Sequence, residues 1–403
     1  MQVTDKFKIG VWVDTNYQPT VGGGFGYYSQ VIKSLRELNY EKYNLIFTGY
    51  NIKKDDFIGH KVFPIPKYER KLYTRMINKF YNIVFYKFLR IKKYSTIELI
   101  NNENEKIKKY LGLHLDLIYY PTSTVEFDFF PFINTLWDLG HKISYSFPEL
   151  TMNGNYEARS KYHDLILNKA LIIFCESNFG KNQLQKYFHI NEDRIKVIPI
   201  FPSDLISQEI KEAKPSMIAN DDFFIHYPAQ FWAHKNHYNL LVSFVEVLKL
   251  YPNLKLFLTG ADKGNMNYIR NLILELKLNE NVQILGFIEI EELKWIYKKS
   301  QGLVMPSLLG PTSMPLLEAA SLGCKVACSN IEGHFEQLGE YAIYFDALNA
   351  QSIANSIIEM IETPVKPFRE NKFSIENSFN LMNKAFEEVI AIRRCWGRFD
   401  KIK

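Results

Sequence analysis

Short apolar runs rich in branched and aromatic residues alternate with longer amphipathic runs along most of this chain, and the series breaks once and then restarts. Strand-like runs fall at Ile9–Val13, Asn44–Phe47, Leu117–Tyr120, Ile133–Leu136, Leu171–Cys175 and Lys196–Ile198, with helix-like runs at Tyr27–Leu38, Asn155–Lys169 and Phe179–Tyr187. A parallel neighbour is reached only through a crossover, so this alternation predicts a parallel sheet with helices on both faces. A mostly polar stretch, Pro202 to Asp222, interrupts it. It resumes with strands at Phe223–Tyr227, Lys255–Thr259, Val282–Leu285, Gly302–Met305 and Lys325–Ala327, separated by helices at Asn239–Lys249, Met266–Leu276, Glu291–Lys299 and Pro315–Leu322. At 403 residues, the chain is too long for one hydrophobic core and suits two. The predicted fold class is α/β: a first Rossmann-like doubly wound domain over 1–200, a linker over 201–222, a second such domain over 223–375, and a C-terminal segment over 376–403. Ligands of such sheets bind beyond the carboxyl ends of the strands, so the cleft between two such domains is the expected site.

Three stretches stand at strand ends. Gly22-Gly23-Gly24-Phe25-Gly26-Tyr27 follows the first strand and opens a helix. The glycines let a ligand approach the backbone, but the dinucleotide pattern G-x-G-x-x-G fails, with Tyr27 or Ser29 at its sixth place. The stretch reads either as a loop approaching a phosphate or sugar or as a tight turn. Tyr227 to His237 follows the first strand of the second series and carries Gln230, His234 and Lys235. Lys235 stands just before a helix, where an ammonium either pairs with phosphate or is merely solvated. The third stretch runs from Met305 to Ala320 through Gly310, Pro311, Thr312, Ser313, Met314 and Pro315. Pro315 suits the first helical turn, where its missing N–H costs nothing. The free amides of that turn and the hydroxyls of Thr312 and Ser313 predict an anion site, and Glu318 one turn on is either a ribose partner or an exposed glutamate favoured by the helix dipole.

Four cysteines, Cys175, Cys324, Cys328 and Cys395, lack the accompanying pairs a metal site needs and point to a reducing compartment. Asp55-Asp56 and Asp221-Asp222 are adjacent pairs, not D-x-D, so no metal is expected. The N-terminus reads as a first strand with no signal peptide, and no apolar run reaches the roughly 18 residues of a spanning helix. These features predict a cytoplasmic protein.

Charge is unevenly placed. Between Lys61 and Lys93, ten bases against one acid, Glu69, give +9, so the rest of a chain with net charge +5 carries −4. Eight aromatics lie in the same segment, and Lys71, Arg75 and Lys79 share one ridge of a helix beside Leu72, Met76 and Phe80. The pattern reads either as a helix lying on an anionic membrane at the inner face of the cell membrane or as a basic helix packed on its own domain. Nucleic acid is not expected as a partner, because no binding motif is present and the remainder is acidic.

The third stretch carries a resemblance. Pro306, Ser307, Pro315, Glu318 and Ala319 are similar in spacing to P-S-x-x-E-G-F-G-x-P-x-x-E-A of the retaining GT-B glycosyltransferases, in particular glycosyltransferase family 4 (glycosyl transferases group 1). Gly323-Cys324-Lys325-Val326 and Glu336 to Asp346 also fit, and Gln230 to Lys235 has the spacing of the family's R-x(4)-K pair. Trp137-Asp138-Leu139-Gly140-His141 looks like its N-domain H-D-L segment. Two positions depart from the pattern: Gly310 replaces the first glutamate and Gln230 the arginine.

The resemblance implies the GT-B architecture, with a nucleotide-sugar donor on the second domain and the acceptor on the first. It implies that Glu318 holds the ribose and that Lys235, Thr312 and Ser313 meet the diphosphate. Gly22, Gly23 and Gly24 would close from the opposite side, and Asp138 and His141 would face the sugar or acceptor. The last helix would cross back to the first domain. No cofactor beyond the nucleotide-sugar co-substrate is implied. With a membrane-bound segment, the acceptor is expected to be a lipid-linked saccharide of a surface polysaccharide, with a mannosyl- or rhamnosyl-type donor. The alternatives are a nucleotide-sugar epimerase or inverting transferase on the same fold, or a non-catalytic scaffold.

Overall fold

The computed structural model describes residues 6–17, 23–37, 42–66, 95–219, 222–369 and 371–395. Gly22 and residues 67–93, the greater part of the basic segment with Lys71, Arg75 and Lys79, lie outside the described residues.

Two parallel sheets carry the molecule. The first has strands β1 (Phe7–Trp12), β2 (Tyr43–Tyr50), β3 (Lys61–Ile65), β4 (Leu117–Tyr120), β5 (Phe132–Leu136), β6 (Ile172–Cys175) and β7 (Ile195–Val197) in the order β3-β2-β1-β4-β5-β6-β7. The second has β8 (Phe224–Pro228), β9 (Lys255–Thr259), β10 (Val282–Gly286), β11 (Leu303–Met305), β12 (Val326–Ser329) and β13 (Ile343–Phe345) in the order β10-β9-β8-β11-β12-β13. Both orders reverse beside their first strand, between β1 and β4 and between β8 and β11, which opens a crevice at the carboxyl ends. Strands covered on both faces need apolar residues at every position, and β4, Leu-Ile-Tyr-Tyr, is buried throughout.

Lys61–Ile65 corrects the assignment of the basic segment from residue 61: these five residues are the edge strand β3, paired in parallel with β2, and Phe63 stacks on His114 with ring centroids 4.2 Å apart. The stretch after β7 is more than a polar spacer. Lys294, 6% exposed, donates from Nζ to the carbonyls of Ser207 at 2.6 Å and Ile210 at 2.9 Å, pinning that stretch to the helix Ile290–Lys299.

Among the described residues, two helices carry apolar packing from one domain to the other. Ile375–Arg393 packs Phe379, Met382, Phe386, Val389 and Ile390 into the same core as Phe7, Val11, Tyr119 and Phe174 of the first sheet. Burying each is worth about 1.5–3 kcal/mol, so apolar packing outweighs the polar contacts that accompany it. Those contacts include Tyr43 to Asn383 at 2.6 Å and Ser378 to the carbonyl of Pro199 at 2.6 Å. The helix Met314–Ser321 is shared: Met314 and Leu317 enter the first domain's core, while Leu316, Ala319 and Ala320 enter the second's. Beside it, the Glu336 carboxylate accepts the amides of Asn178 at 2.7 Å and Phe179 at 3.0 Å, completing the N-terminus of the first-domain helix Asn178–Phe188. No helix among the described residues is long and apolar enough to cross a membrane.

Candidate functional site between the two sheets

A cleft of about 740 Å³ lies between the carboxyl ends of the two sheets. Its first wall carries Gly24, Tyr27, Trp137, Asp138, Arg159 and Glu176; its second carries Gln230, His234, Lys235, Tyr297, residues 310–315 and Glu318.

The loop between β11 and the helix Met314–Ser321 is braced from every side. Ser329 Oγ donates to the carbonyl of Ser307 at 2.6 Å, Asn236 Nδ2 to that of Pro306 at 3.0 Å, and the amide of Leu308 to His234 at 2.9 Å. Gly333 lies so close that a Cβ there would stand 2.3 Å from the Pro311 carbonyl oxygen. Gly310 has φ +146°, a conformation that strains a side chain, so this backbone path excludes the glutamate of the family pattern at that position.

The polar groups of this loop have internal partners. Ser313 donates its amide to Gln337 Oε1 at 2.7 Å and its hydroxyl to the sulfur of Met305 at 3.1 Å. Thr312 Oγ1 donates to Glu176 Oε2 of the first domain. A ligand anion here meets prearranged dipoles, one of whose hydroxyls is tied across the cleft.

Lys235 follows β8, where Tyr227 fixes the turn by donating to the Lys235 carbonyl at 2.7 Å. Its ammonium forms no hydrogen bond or ion pair among the described residues. Burial lowers it to about 8, against the opposing pull of Asp138 and Glu149. A desolvated cation without a partner is a demand for an anion. Gln230 faces the same space and accepts from Trp232 Nε1 at 3.0 Å. His234 is drawn to the first domain: Glu149 Oε1 accepts its amide at 3.0 Å and its Nδ1 at 2.5 Å.

Glu318 is 5% exposed, where sequence reasoning left open an exposed glutamate. Tyr297 donates to its Oε2 at 3.1 Å and Ser203 to its Oε1. Burial raises its carboxyl, and those two hydroxyls pull the other way.

On the first wall, Gly24 leaves room for nothing larger: a Cβ would stand 2.7 Å from the Trp137 ring and 2.8 Å from the Tyr17 hydroxyl. Gly23 begins the same helix, Gly23–Glu37. Asp138 Oδ1 accepts from Gly140 at 2.8 Å and Arg159 at 2.8 Å. Burial raises this carboxyl, but Arg159 and the Gly140 amide outweigh it and hold it below the usual range.

His141 does not face the cleft, which corrects its placement beside Asp138. The helical turn Gly140–Ile143 carries its ring inward, 1% exposed, against His163 at 5.1 Å and Tyr156 at 6.0 Å. Neither ring nitrogen has a hydrogen-bond partner among the described residues, and burial, followed by Arg159 and His163, lowers it to about 3.

Five residues escaped sequence reasoning: Glu176, Tyr297, Ser203, Glu149 and Arg159. Only Glu176 left a local signal, a charged side chain immediately after an all-apolar strand end. Among the described residues no group of three or more His, Cys, Asp or Glu stands ready to hold a metal ion.

Residues 208–375 match the family described as Glycosyl transferases group 1. The chain is 24% identical over 207 residues to the O-antigen chain mannosyltransferase RfbU of Salmonella typhimurium, covering 51% of this chain and 55% of that protein. It is 24% identical over 205 residues to O-antigen chain mannosyltransferase B of Escherichia coli, covering 49% and 53%. The chain thus spans about half the length of these curated relatives. Among solved structures, it resembles sucrose-phosphate synthase of Thermosynechococcus elongatus with TM-score 0.66 at 18% identity, over 96% of this chain and 100% of the other. It resembles Anabaena HepE in complex with UDP and glucose with TM-score 0.62 at 15% identity, over 96% and 100%. The fold is that of the GT-B glycosyltransferases, two parallel-sheet domains facing a cleft.

Proposed function

We propose that the glycosyl transferases group 1 domain at residues 208–375 presents a nucleotide-sugar donor to the cleft, and that the chain transfers the sugar to a saccharide acceptor held by the first domain. One observation carries this reading: the unpaired Lys235 ammonium, the braced loop 310–313 and the buried Glu318 converge at the switch point of the second sheet. A diphosphate there gives Lys235 its missing anion. The ribose hydroxyls find in Glu318 a carboxylate whose orientation Tyr297 and Ser203 already fix.

As the bond between sugar and phosphate breaks, negative charge grows on the diphosphate. Lys235 and the dipoles at the start of the helix Met314–Ser321 stabilise it, and one well-aimed donor of this kind is worth about 3 kcal/mol. We assign charge neutralisation to these groups and expect no divalent metal requirement. Retention of configuration belongs to the proposal through the resemblance to family 4. The mannosyl-type donor and the lipid-linked acceptor of surface polysaccharide synthesis draw support from the O-antigen mannosyltransferases that the chain resembles.

Calorimetry with UDP, GDP, dTDP and their sugar conjugates, in chelator, tests the reading. The expected result is metal-free binding of one nucleotide, weakened at least tenfold in Glu318→Ala. A folded protein that binds none of them rejects it.

A further inference from the structure

Glu176 is the carboxyl group that the reading above does not use, and its position is unusual. It follows β6 on the first domain, yet it meets the second domain at Thr312, in the loop offered to the phosphates. The charged neighbour that acts on it is Asp138, a like charge, and no cation pairs with it among the described residues. Tyr27, from the helix Gly23–Glu37, and Tyr17, from the loop after β1, also feel its charge, as does the preceding Cys175.

An ionised Glu176 is ill placed in a cleft built for an anion. It takes the single hydrogen of the Thr312 hydroxyl and leaves only lone pairs facing a phosphate. A protonated Glu176 reverses the polarity: it donates to Thr312 Oγ1, and Thr312 then donates onward.

We propose that Glu176 is a positioning residue that works as the neutral acid, orienting the Thr312 hydroxyl across the domain boundary so that its hydrogen points at the donor's diphosphate. This rests on the nucleotide-sugar reading. The proton comes from solvent, and no bond of the substrate is involved. Burial first, and Asp138 second, raise the carboxyl to about 8 against the pull of Thr312, so the acid form is present at neutral pH. The group keeps its proton as pH falls and loses it as pH rises through that value.

Lys235 titrates in the same range, so pH dependence alone does not identify Glu176. The test is the affinity for UDP and GDP between pH 8 and 9.5 in wild type, Glu176→Gln and Thr312→Val, with folding of each checked by circular dichroism. In wild type both groups must hold a proton, and affinity falls by up to about 100-fold per pH unit; in either variant only Lys235 remains, and the fall is about tenfold. The neutral amide of Gln retains a donor for Thr312, so Glu176→Gln still binds nucleotide at pH 7, and the comparison reads the slope above pH 8. Equal slopes in wild type and Glu176→Gln overturn the inference while leaving nucleotide binding intact. A wild-type slope in Thr312→Val shows direct repulsion and overturns the relay. Absence of binding by either nucleotide at pH 7 rejects the nucleotide-sugar reading itself.

Discussion

Tyr297 donates its hydroxyl hydrogen to Oε2 of Glu318 across 3.1 Å, linking the helix Ile290–Lys299 to the helix Met314–Ser321 inside the second domain. The tyrosine is 1% exposed, and its hydroxyl is held well above the usual range by burial and by Glu318. It therefore stays a donor throughout the range in which the protein is handled. The bond fixes which lone pairs of Glu318 remain for a ligand.

Tyr297→Phe removes this donor without changing the ring. A buried carboxyl oxygen loses its partner, at a cost of about 1–3 kcal/mol. The expected outcome is a lower melting temperature and a nucleotide Kd raised about tenfold, measured by scanning calorimetry and titration calorimetry.

Lys235 gives opposite effects on stability and on binding. Its folded value of about 8 lies below the ordinary 10.5, so the folded protein holds fewer protons than the unfolded chain between those values. Stability from this group therefore rises with pH across that window and is least below it. Lys235→Met should raise the ligand-free melting temperature at pH 7 by about 2 °C or more, since each kcal/mol is worth roughly 2–4 °C in a domain of this size. The same variant should weaken nucleotide binding by about 100-fold. Thermal melts with and without nucleotide read both effects from one sample.

His141 is expected to matter for folding more than for turnover. Its folded value near 3 lies below the ordinary 6.5, so its contribution to stability is complete above 6.5 and is lost as pH falls toward 3. His141→Phe keeps a ring against Tyr156 and His163 and removes two unpartnered nitrogens. Melting at pH 5 should move upward by a few degrees, with sugar transfer within about threefold of wild type. A 100-fold loss of transfer in a folded variant would return His141 to the chemistry.

The alternation of runs made both parallel sheets legible, because a strand buried on both faces must be apolar along its length, as β4 and β6 are. The loop 305–320 was legible for a different reason: strand end, small polar turn and Pro315 are contiguous. The other half of the site is assembled from afar. Glu176 lies 136 positions from Thr312, and Ser203 lies 115 from Glu318. No periodicity encodes such pairings; they exist only once two domains have closed on one another. His141 was misplaced because a four-residue helical turn rotates it away from its neighbour Asp138, and neither composition nor spacing marks so short a turn.

The chain passes between the domains twice, once after β7 and again before the helix Ile375–Arg393, and Ser378 ties the second passage to Pro199 of the first. A single tether lets two bodies swivel in any direction. A pair fastened side by side behaves as the pins of a door, resisting twist and permitting one swing. Any rotation of the second sheet against the first must therefore turn about this doubled crossing, whose two segments the Ser378–Pro199 bond holds together.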